Sequence, residues 1–308
     1  MRLDVLCLGE PLLEFNQIKE GNKKNYISGY GGDTSNTAIS IARQGMSVGL
    51  ISKVGKDKFG SDLFELWKRE KVDSSHVSIH PEAPTGIYFV THDADGHHFT
   101  YYRSGSAACQ ITTFDLPKED LSQTRILHLS AITQAISISS CETSFAAIHQ
   151  AQKNGVKVSY DTNLRLKLWS LDRARDVINR TVPMCDVILP SLEEATSLTG
   201  LVDPEEITDY FFELGAKLVV LKQGSHGARV SDGKENLNIP GHKVKAIDAT
   251  GAGDTFDGAF LSEWIRKDDP FSAAEYANAA AALSTTNYGA VDSIPNRGEV
   301  AAFLGFSN

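Results

Sequence analysis

Val156-Lys157-Val158-Ser159-Tyr160-Asp161-Thr162-Asn163-Leu164-Arg165 reads as a short apolar strand, residues 156–160, that runs out into polar chain. A helical stretch, residues 139–153, precedes it and closes at Gly155. Helix, glycine, buried strand and polar exit form one unit of an alternating fold, and the chain repeats that unit. Residues 3–8, 48–53, 126–130, 187–189 and 218–221 are further strand-like runs, and residues 34–44 read as the helix after a glycine turn. The alternation predicts an α/β fold with a mostly parallel central sheet and helices on both faces. Ligands of such sheets sit at the carboxyl ends of the strands. The residues to inspect are therefore Gly9-Glu10, Ser130, Asp161 through Arg165, Ser191, and Lys222-Gln223-Gly224.

One stretch breaks the alternation. Residues 85–92 and 97–103 are both β-rich and flank Asp93-Ala94-Asp95-Gly96, which predicts a hairpin with a four-residue turn. Symmetric closure puts His92 opposite His97 and Tyr88 opposite Tyr101. The two-residue period then gives Tyr88, Tyr101 and Arg103 one face. That face suits a lid over a polar, anionic ligand, and it equally suits a half-exposed hairpin whose tyrosines only pack. The polar, lysine-rich residues 15–30 are a second lid candidate. With no repeat or linker in view, residues 1–308 read as one globular unit, its lid formed by about residues 12–30 and 85–104.

The totals narrow the function. A net charge of −9 argues against nucleic acid or an anionic membrane as partner. The cysteines Cys7, Cys109, Cys141 and Cys185 are too far apart for a CxxC pair, so buried free thiols and a cytoplasmic location are expected. His97-His98 belong to no metal motif, and no apolar run reaches the roughly 20 residues of a bilayer span. The free edges of a small lid sheet make a homo-oligomer the expected assembly.

Chemistry concentrates in Asp248-Ala249-Thr250-Gly251-Ala252-Gly253-Asp254, which opens an apolar helical run over residues 255–265. Small residues leave backbone amides bare at a helix N-terminus, which makes a site for anionic oxygens. An acid there can serve as the base that activates an attacking hydroxyl, as phosphoryl transfer requires. It can also be a simple helix cap, a role that contributes about 1 kcal/mol. The run is neither GxGxxG nor a Walker loop.

This run resembles the C-terminal signature of the PfkB, or ribokinase-like, carbohydrate kinase family. Gly31-Gly32-Asp33-Thr34-Ser35-Asn36-Thr37-Ala38 resembles its N-terminal signature, and Asn278-Ala279-Ala280-Ala281-Ala282 followed by Gly289-Ala290 its late helix. The two signatures stand about 220 residues apart in matching βα contexts. The resemblance covers the whole chain and implies an ATP-dependent kinase acting on a primary hydroxyl with Mg²⁺, a monovalent cation being a further candidate. It implies Asp254 as the base and the amides of Gly251, Ala252 and Gly253 as the anion hole. Gly32 and Asn36 fall near the sugar. Asn163, Ser191, Lys222, Gly224, Gly227, Gly251, Gly253 and Asn278 fall near the nucleotide, and Glu194 near the metal. Where many members carry Asn-x-x-Glu, this chain has Ser191-Leu192-Glu193-Glu194; Glu193 also suits a plain first-turn helical acid.

Thr85-Gly86-Ile87-Tyr88-Phe89, the run from Tyr101 to Ala108, and Asp161-Thr162-Asn163-Leu164-Arg165 are similar to the 2-keto-3-deoxygluconate kinase subgroup. That similarity implies a sugar acid held by Gly32, Tyr88, Tyr101, Arg103, Arg165 and Asp254, with the backbone of Tyr102 alongside and an acid at Asp292. Guanidinium forks suit a substrate carboxylate, and Arg165 suits either that carboxylate or the migrating phosphoryl group. The expected reaction is transfer of phosphate from ATP to the C6 hydroxyl of 2-keto-3-deoxygluconate. Rival substrates are fructose, tagatose-phosphate, 2-keto-3-deoxygalactonate and a nucleoside. A catalytically silent sugar-acid sensor on the same fold is the rival from another class.

Overall fold

A computed structural model of the chain describes residues 2–20, 23–93 and 96–305. In chain order its strands are β1 Val5–Leu8, β2 Leu12–Glu20, β3 Lys23–Gly31, β4 Val48–Gly55, β5 Val77–His80, β6 Ile87–Asp93 and β7 Gly96–Tyr102. They continue as β8 Ile126–Ser130, β9 Lys157–Asp161, β10 Val187–Ile188, β11 Val219–Lys222, β12 Gly227–Ser231 and β13 Asn236–Pro240. Nine form one sheet in the order β13-β12-β11-β10-β9-β8-β1-β4-β5, and four form a second in the order β3-β2-β6-β7.

The large sheet is parallel from β5 to β11, and its central strands are mostly apolar and buried, as strands covered by helices on both faces are. Strand order reverses at β1, which pairs with β4 on one side and β8 on the other. Crevices at such reversals, outside the carboxyl ends of the strands, are where open α/β sheets take ligands. The expected parallel strands all form, shifted by a residue or two. The antiparallel edge β12–β13 was not foreseen.

The core lies on both sides of this sheet, where Trp67, Phe211 and Phe260 are wholly buried. Each such side chain contributes about 1.5–3 kcal/mol. Among the described residues no helix is long and apolar enough to cross a membrane.

In the small sheet β6 and β7 pair in the register read from sequence, with Tyr88 opposite Tyr101 and His92 opposite His97. The expected turn is shorter: Asp93 and Gly96 belong to the ladder, and Ala94 and Asp95 lie outside the described residues. Residues 15–30 form most of a second hairpin, β2–β3, and β2 runs parallel to β6.

Helix starts fall into two kinds. Helices Lys58–Glu70, Ile138–Lys153 and Pro270–Ser284 begin at Asp57, Ser137 and Asp269, whose side chains accept the first free amides. Helices Asp33–Arg43 and Ala252–Lys267 begin instead at Gly32 and Gly251, with φ of 99° and 74° and no side-chain cap. A side chain at Gly32 would strike the Glu10 carbonyl, its Cβ only 2.3 Å away. These two N-termini face the same cavity.

Candidate active site

The cavity has a volume of about 1460 Å³ and lies between the carboxyl ends of the large-sheet strands and the inner face of the small sheet. Gly32, Asn36, Tyr88, Tyr101, Arg103, Asn163, Arg165, Ser191, Glu194, Lys222, Gly224, Gly227, Gly251, Ala252, Gly253, Asp254 and Asn278 all line it. Segments as far apart as residues 32 and 278 thus converge. Tyr102 and Asp292 are not on the wall. The side chain of Tyr102 is exposed and meets Phe89 edge-on, because neighbouring positions on a strand face opposite ways. Asp292 is exposed.

Asp254 sits in the first turn of helix Ala252–Lys267, and the Asn36 side-chain amide donates to it at 2.8 Å. Close helix packing makes that contact possible. At Gly258 a Cβ would come within 2.4 Å of the Ser40 Cβ, and the Ser40 hydroxyl donates to the Thr255 carbonyl at 3.0 Å. Burial, with the nearby Asp33 charge, pushes the Asp254 carboxyl up to about 8, and the Asn36 bond pulls against that rise. A carboxyl so tuned is matched to accepting a proton near neutral pH.

The turn before Asp254 is fixed by Asp248, which accepts from the Thr250 amide at 2.9 Å and the Gly289 amide at 3.0 Å. The Ala252 amide donates to the Ala249 carbonyl at 3.2 Å within the turn, and Gly251, Ala252 and Gly253 all line the cavity.

Lys222, at the end of β11, lies 2.9 Å from Asp257 and 3.3 Å from Asp161. Burial works against its ammonium, but the two carboxylates outweigh it and hold the lysine charged. Its Nζ stands beside Gly253, 3.8 Å from where a Cβ would be. Arg165 donates to Glu194 at 2.5 Å. The Ser191 hydroxyl caps helix Leu192–Thr199 by accepting the Glu194 amide at 3.3 Å. An N-cap can be serine or asparagine, so the departure at Ser191 leaves Glu194 in place.

Gly224 and Gly227 adopt φ of 57° and 96°, and a Cβ at Gly227 would come within 2.1 Å of the Ile239 carbonyl. Asn278 spends its amide nitrogen on the Ile239 and Pro240 carbonyls at 3.1 and 3.3 Å, tying its helix to the end of β13.

On the opposite wall Arg103 is paired with buried Glu10, which also accepts from the Ser106 hydroxyl at 3.0 Å. The Arg103 guanidinium lies 5.4 Å from the centre of the Tyr101 ring. The Tyr88 hydroxyl donates to Glu14 at 2.5 Å. Asp33 accepts from Ser130, and burial raises its carboxyl.

Sequence reading gave no role to Asp33, Glu10, Glu14, Asp248 or Asp257. Asp33 stood inside a quoted signature and Glu10 at a strand end. Asp257 follows Asp254 by three positions, the spacing that shares a helix face. Nothing local pointed to Glu14, whose partner is 74 residues away.

The family model described as pfkB family carbohydrate kinase matches residues 2–297. A 2-dehydro-3-deoxygluconokinase of Bacillus subtilis (strain 168) is 32% identical over 99% of this chain and 96% of its own length. A probable fructokinase-5 of Arabidopsis thaliana is 32% identical over 94% of each chain. Among solved structures, a putative ribokinase II of E. coli in complex with ATP and Mg²⁺ aligns with a TM-score of 0.90 and 26% identity, covering 99% of this chain and 100% of that one.

Proposed function

This chain belongs to the pfkB family of carbohydrate kinases and is an ATP-dependent sugar phosphotransferase; on that premise we propose that its substrate is 2-dehydro-3-deoxygluconate (the 2-keto-3-deoxygluconate of the sequence reading), phosphorylated at the C6 hydroxyl. The observation that carries the proposal is the meeting of Tyr88, Tyr101, Arg103 and Arg165 on the wall of the cavity that holds Asp254. Two tyrosines give hydroxyl contacts, and two guanidinium groups favour an anionic sugar.

In the proposed reaction Asp254 takes the proton of the C6 hydroxyl as its oxygen bonds to the terminal phosphorus of ATP and the bond from that phosphorus to the bridging oxygen of ADP breaks. The bare N-terminus of helix Ala252–Lys267 and the ammonium of Lys222 face the transferring group and offset its charge. The small sheet acts as the lid that excludes water.

Among the described residues no cluster of three or more His, Cys, Asp or Glu side chains could hold a metal. Mg²⁺ needs no such cage, because it binds through one or two carboxylates together with phosphate oxygens and water. Glu194 and Asp161 on the cavity wall fit that requirement, with Glu194 as the proposed ligand. The ion would neutralise phosphate charge.

A neutral ketose such as fructose is the second reading. One specific observation favours it: each cavity arginine already has a protein carboxylate, Glu10 for Arg103 and Glu194 for Arg165. ADP release should be measured with ATP and Mg²⁺ across 2-dehydro-3-deoxygluconate, its C4 epimer, fructose, ribose and adenosine. Turnover confined to the two acids is expected. Turnover on fructose alone would keep the kinase and overturn the acid. Arg103→Ala is then expected to cost an acid substrate at least tenfold more in kcat/KM than a neutral one, about the worth of a charge-assisted hydrogen bond.

A further inference from the structure

The four strands of the small sheet place one residue each in a single cross-strand row. Gly29 of β3 faces Glu14 of β2, Glu14 faces Tyr88 of β6, and Tyr88 faces Tyr101 of β7. Glu14 and Tyr88 are both 5% exposed and are joined by the 2.5 Å hydrogen bond. Gly29 makes room for the acid, since a Cβ there would lie 3.3 Å from Glu14 Oε1. Gly31 makes room for the ring, since a Cβ there would lie 2.5 Å from the Tyr88 oxygen. The Tyr88 ring also packs against Tyr101, with centres 5.5 Å apart. The phenol is thus held in place on both sides.

A phenol has one proton to donate, and an ionised carboxylate only accepts. Glu14 receives donors on both oxygens: Tyr88 on Oε2, and the Asn16 amide on Oε1 at 3.4 Å. Asn16 is oriented in turn by His92, whose Nε2 lies 2.8 Å from the Asn16 carbonyl oxygen. Both donated bonds favour the carboxylate and offset part of the burial that raises the Glu14 carboxyl above its ordinary value. The Tyr88 proton is therefore directed away from the cavity, and the lone pairs of its oxygen are left for the ligand.

We infer that Glu14 is a positioning residue that fixes the Tyr88 oxygen as an acceptor, so that the substrate group seated on Tyr88 is a hydroxyl and not a carboxylate. A carboxylate offers no proton and would meet the oxygen with like polarity. The acid end of a sugar acid is then directed away from Tyr88, towards Arg103 or Arg165. This inference rests on the cavity being a sugar site with Tyr88 on its wall; it does not depend on which sugar enters.

The test uses the full chain and whichever of 2-dehydro-3-deoxygluconate or fructose the parent turns over. Glu14→Leu removes the acceptor and is expected to raise KM about tenfold, the order of one lost hydrogen bond, with kcat within about twofold. Glu14→Gln keeps a carbonyl acceptor and is expected to stay within about threefold of the parent KM. In a Tyr88→Phe background, Glu14→Leu is expected to add less than about twofold, because its effect passes through the phenol. Equal losses with and without the Tyr88 hydroxyl, or a Glu14→Gln loss as large as that of Glu14→Leu, would overturn the positioning role.

A second readout needs no turnover. The tyrosine Raman doublet, taken as the parent-minus-Tyr88→Phe difference, should report a donating phenol in the parent and in Glu14→Gln. A parent phenol that does not donate overturns the inference even if the kinetics agree. If neither sugar is turned over, the functional reading fails, while this spectrum still decides whether Glu14 holds the Tyr88 proton.

Discussion

The two walls of the cavity hold Lys222 and Glu14 by different means. On the large-sheet wall, charge meets charge: Lys222 lies between Asp161 and Asp257, and Arg165 pairs with Glu194. The two helices that carry Asn36 and Asp254 are locked by Ser40 against Gly258. On the small-sheet wall Arg103 pairs with Glu10, but Glu14 is held by neutral donors, a phenol and an amide, on strands whose outer face carries exposed Tyr26 and Tyr102. Buried ion pairs fix atoms strongly and lose much when one partner is removed, whereas neutral hydrogen bonds on a thin sheet adjust at lower cost. On the proposed reading, the difference gives the chemical step to the first wall and sugar recognition to the second. Variants of the first should act on kcat and stability, and variants of the second on KM.

The strongest way to break that division is Asp254→Asn. Loss of the base is expected to lower kcat by about 10²- to 10⁴-fold, with sugar binding measured by calorimetry kept within a few-fold. The same change should stabilise the protein. Because the folded-state carboxyl is raised to about 8, the native state binds more protons than the unfolded chain between the ordinary carboxylate range and about pH 8. Stability contributed by Asp254 is thus present at low pH and lost as pH rises through that window. Asparagine removes this dependence, so the variant should melt higher than the parent at pH 8 and differ less from it at pH 4. A parallel loss of binding and stability would place Asp254 in the architecture and not in the chemistry.

Next in size is Lys222→Met, which leaves Asp161 and Asp257 buried without their cation. Denaturant unfolding should show a loss of about 3–5 kcal/mol, the usual result of removing one partner from a buried ion pair. A loss below about 1 kcal/mol would mean the large-sheet wall is no more tightly held than the small-sheet wall.

Asn36→Ala sharpens the comparison within the first wall. Its amide donates to the charged form of Asp254, so removing it must raise that carboxyl further. The acid limb of the pH profile of kcat/KM, expected at an apparent value near 8 in the parent, should move to higher pH, with the plateau reduced less than at pH 7. A limb that stays in place, or moves down, would separate the observed titration from Asp254.

What the sequence disclosed divides along the same line. The large-sheet strands were legible because strands covered on both faces are predominantly apolar runs, as in Val5–Leu8 and, apart from His128 and Ser130, Ile126–Ser130. The register of Tyr88 on Tyr101 was legible because a hairpin is local and its turn sets the pairing. The β2–β3 hairpin was not, because Lys19, Glu20, Lys23 and Lys24 hide its alternation. Glu14 on Tyr88, Arg103 on Glu10 and Asp33 on Ser130 join segments 74 to 97 residues apart, and only the pairing of β2 with β6 or β1 with β8 brings them together. Motif resemblance found the residues on the cavity wall, and the partners that orient those residues required the fold.

The smallest expected effect tests the two faces of the small sheet against each other. Tyr101 and Tyr102 are neighbours in β7, and the resemblance pointed to both as sugar contacts. Tyr101 lines the cavity beneath Arg103, whereas the Tyr102 side chain is 63% exposed and meets the outer-face ring of Phe89, with centres 5.9 Å apart. Any contact Tyr102 makes with sugar must therefore use its backbone, which Tyr102→Ala retains. That variant should keep kcat/KM within about twofold and stability within about 0.5 kcal/mol, as exposed substitutions generally do. Tyr101→Ala should raise KM about tenfold or more, because it removes both a ring face from Arg103 and a wall from the sugar site. If the two variants raise KM equally, recognition extends to the outer face, and the division between a rigid catalytic wall and a single recognising face does not hold.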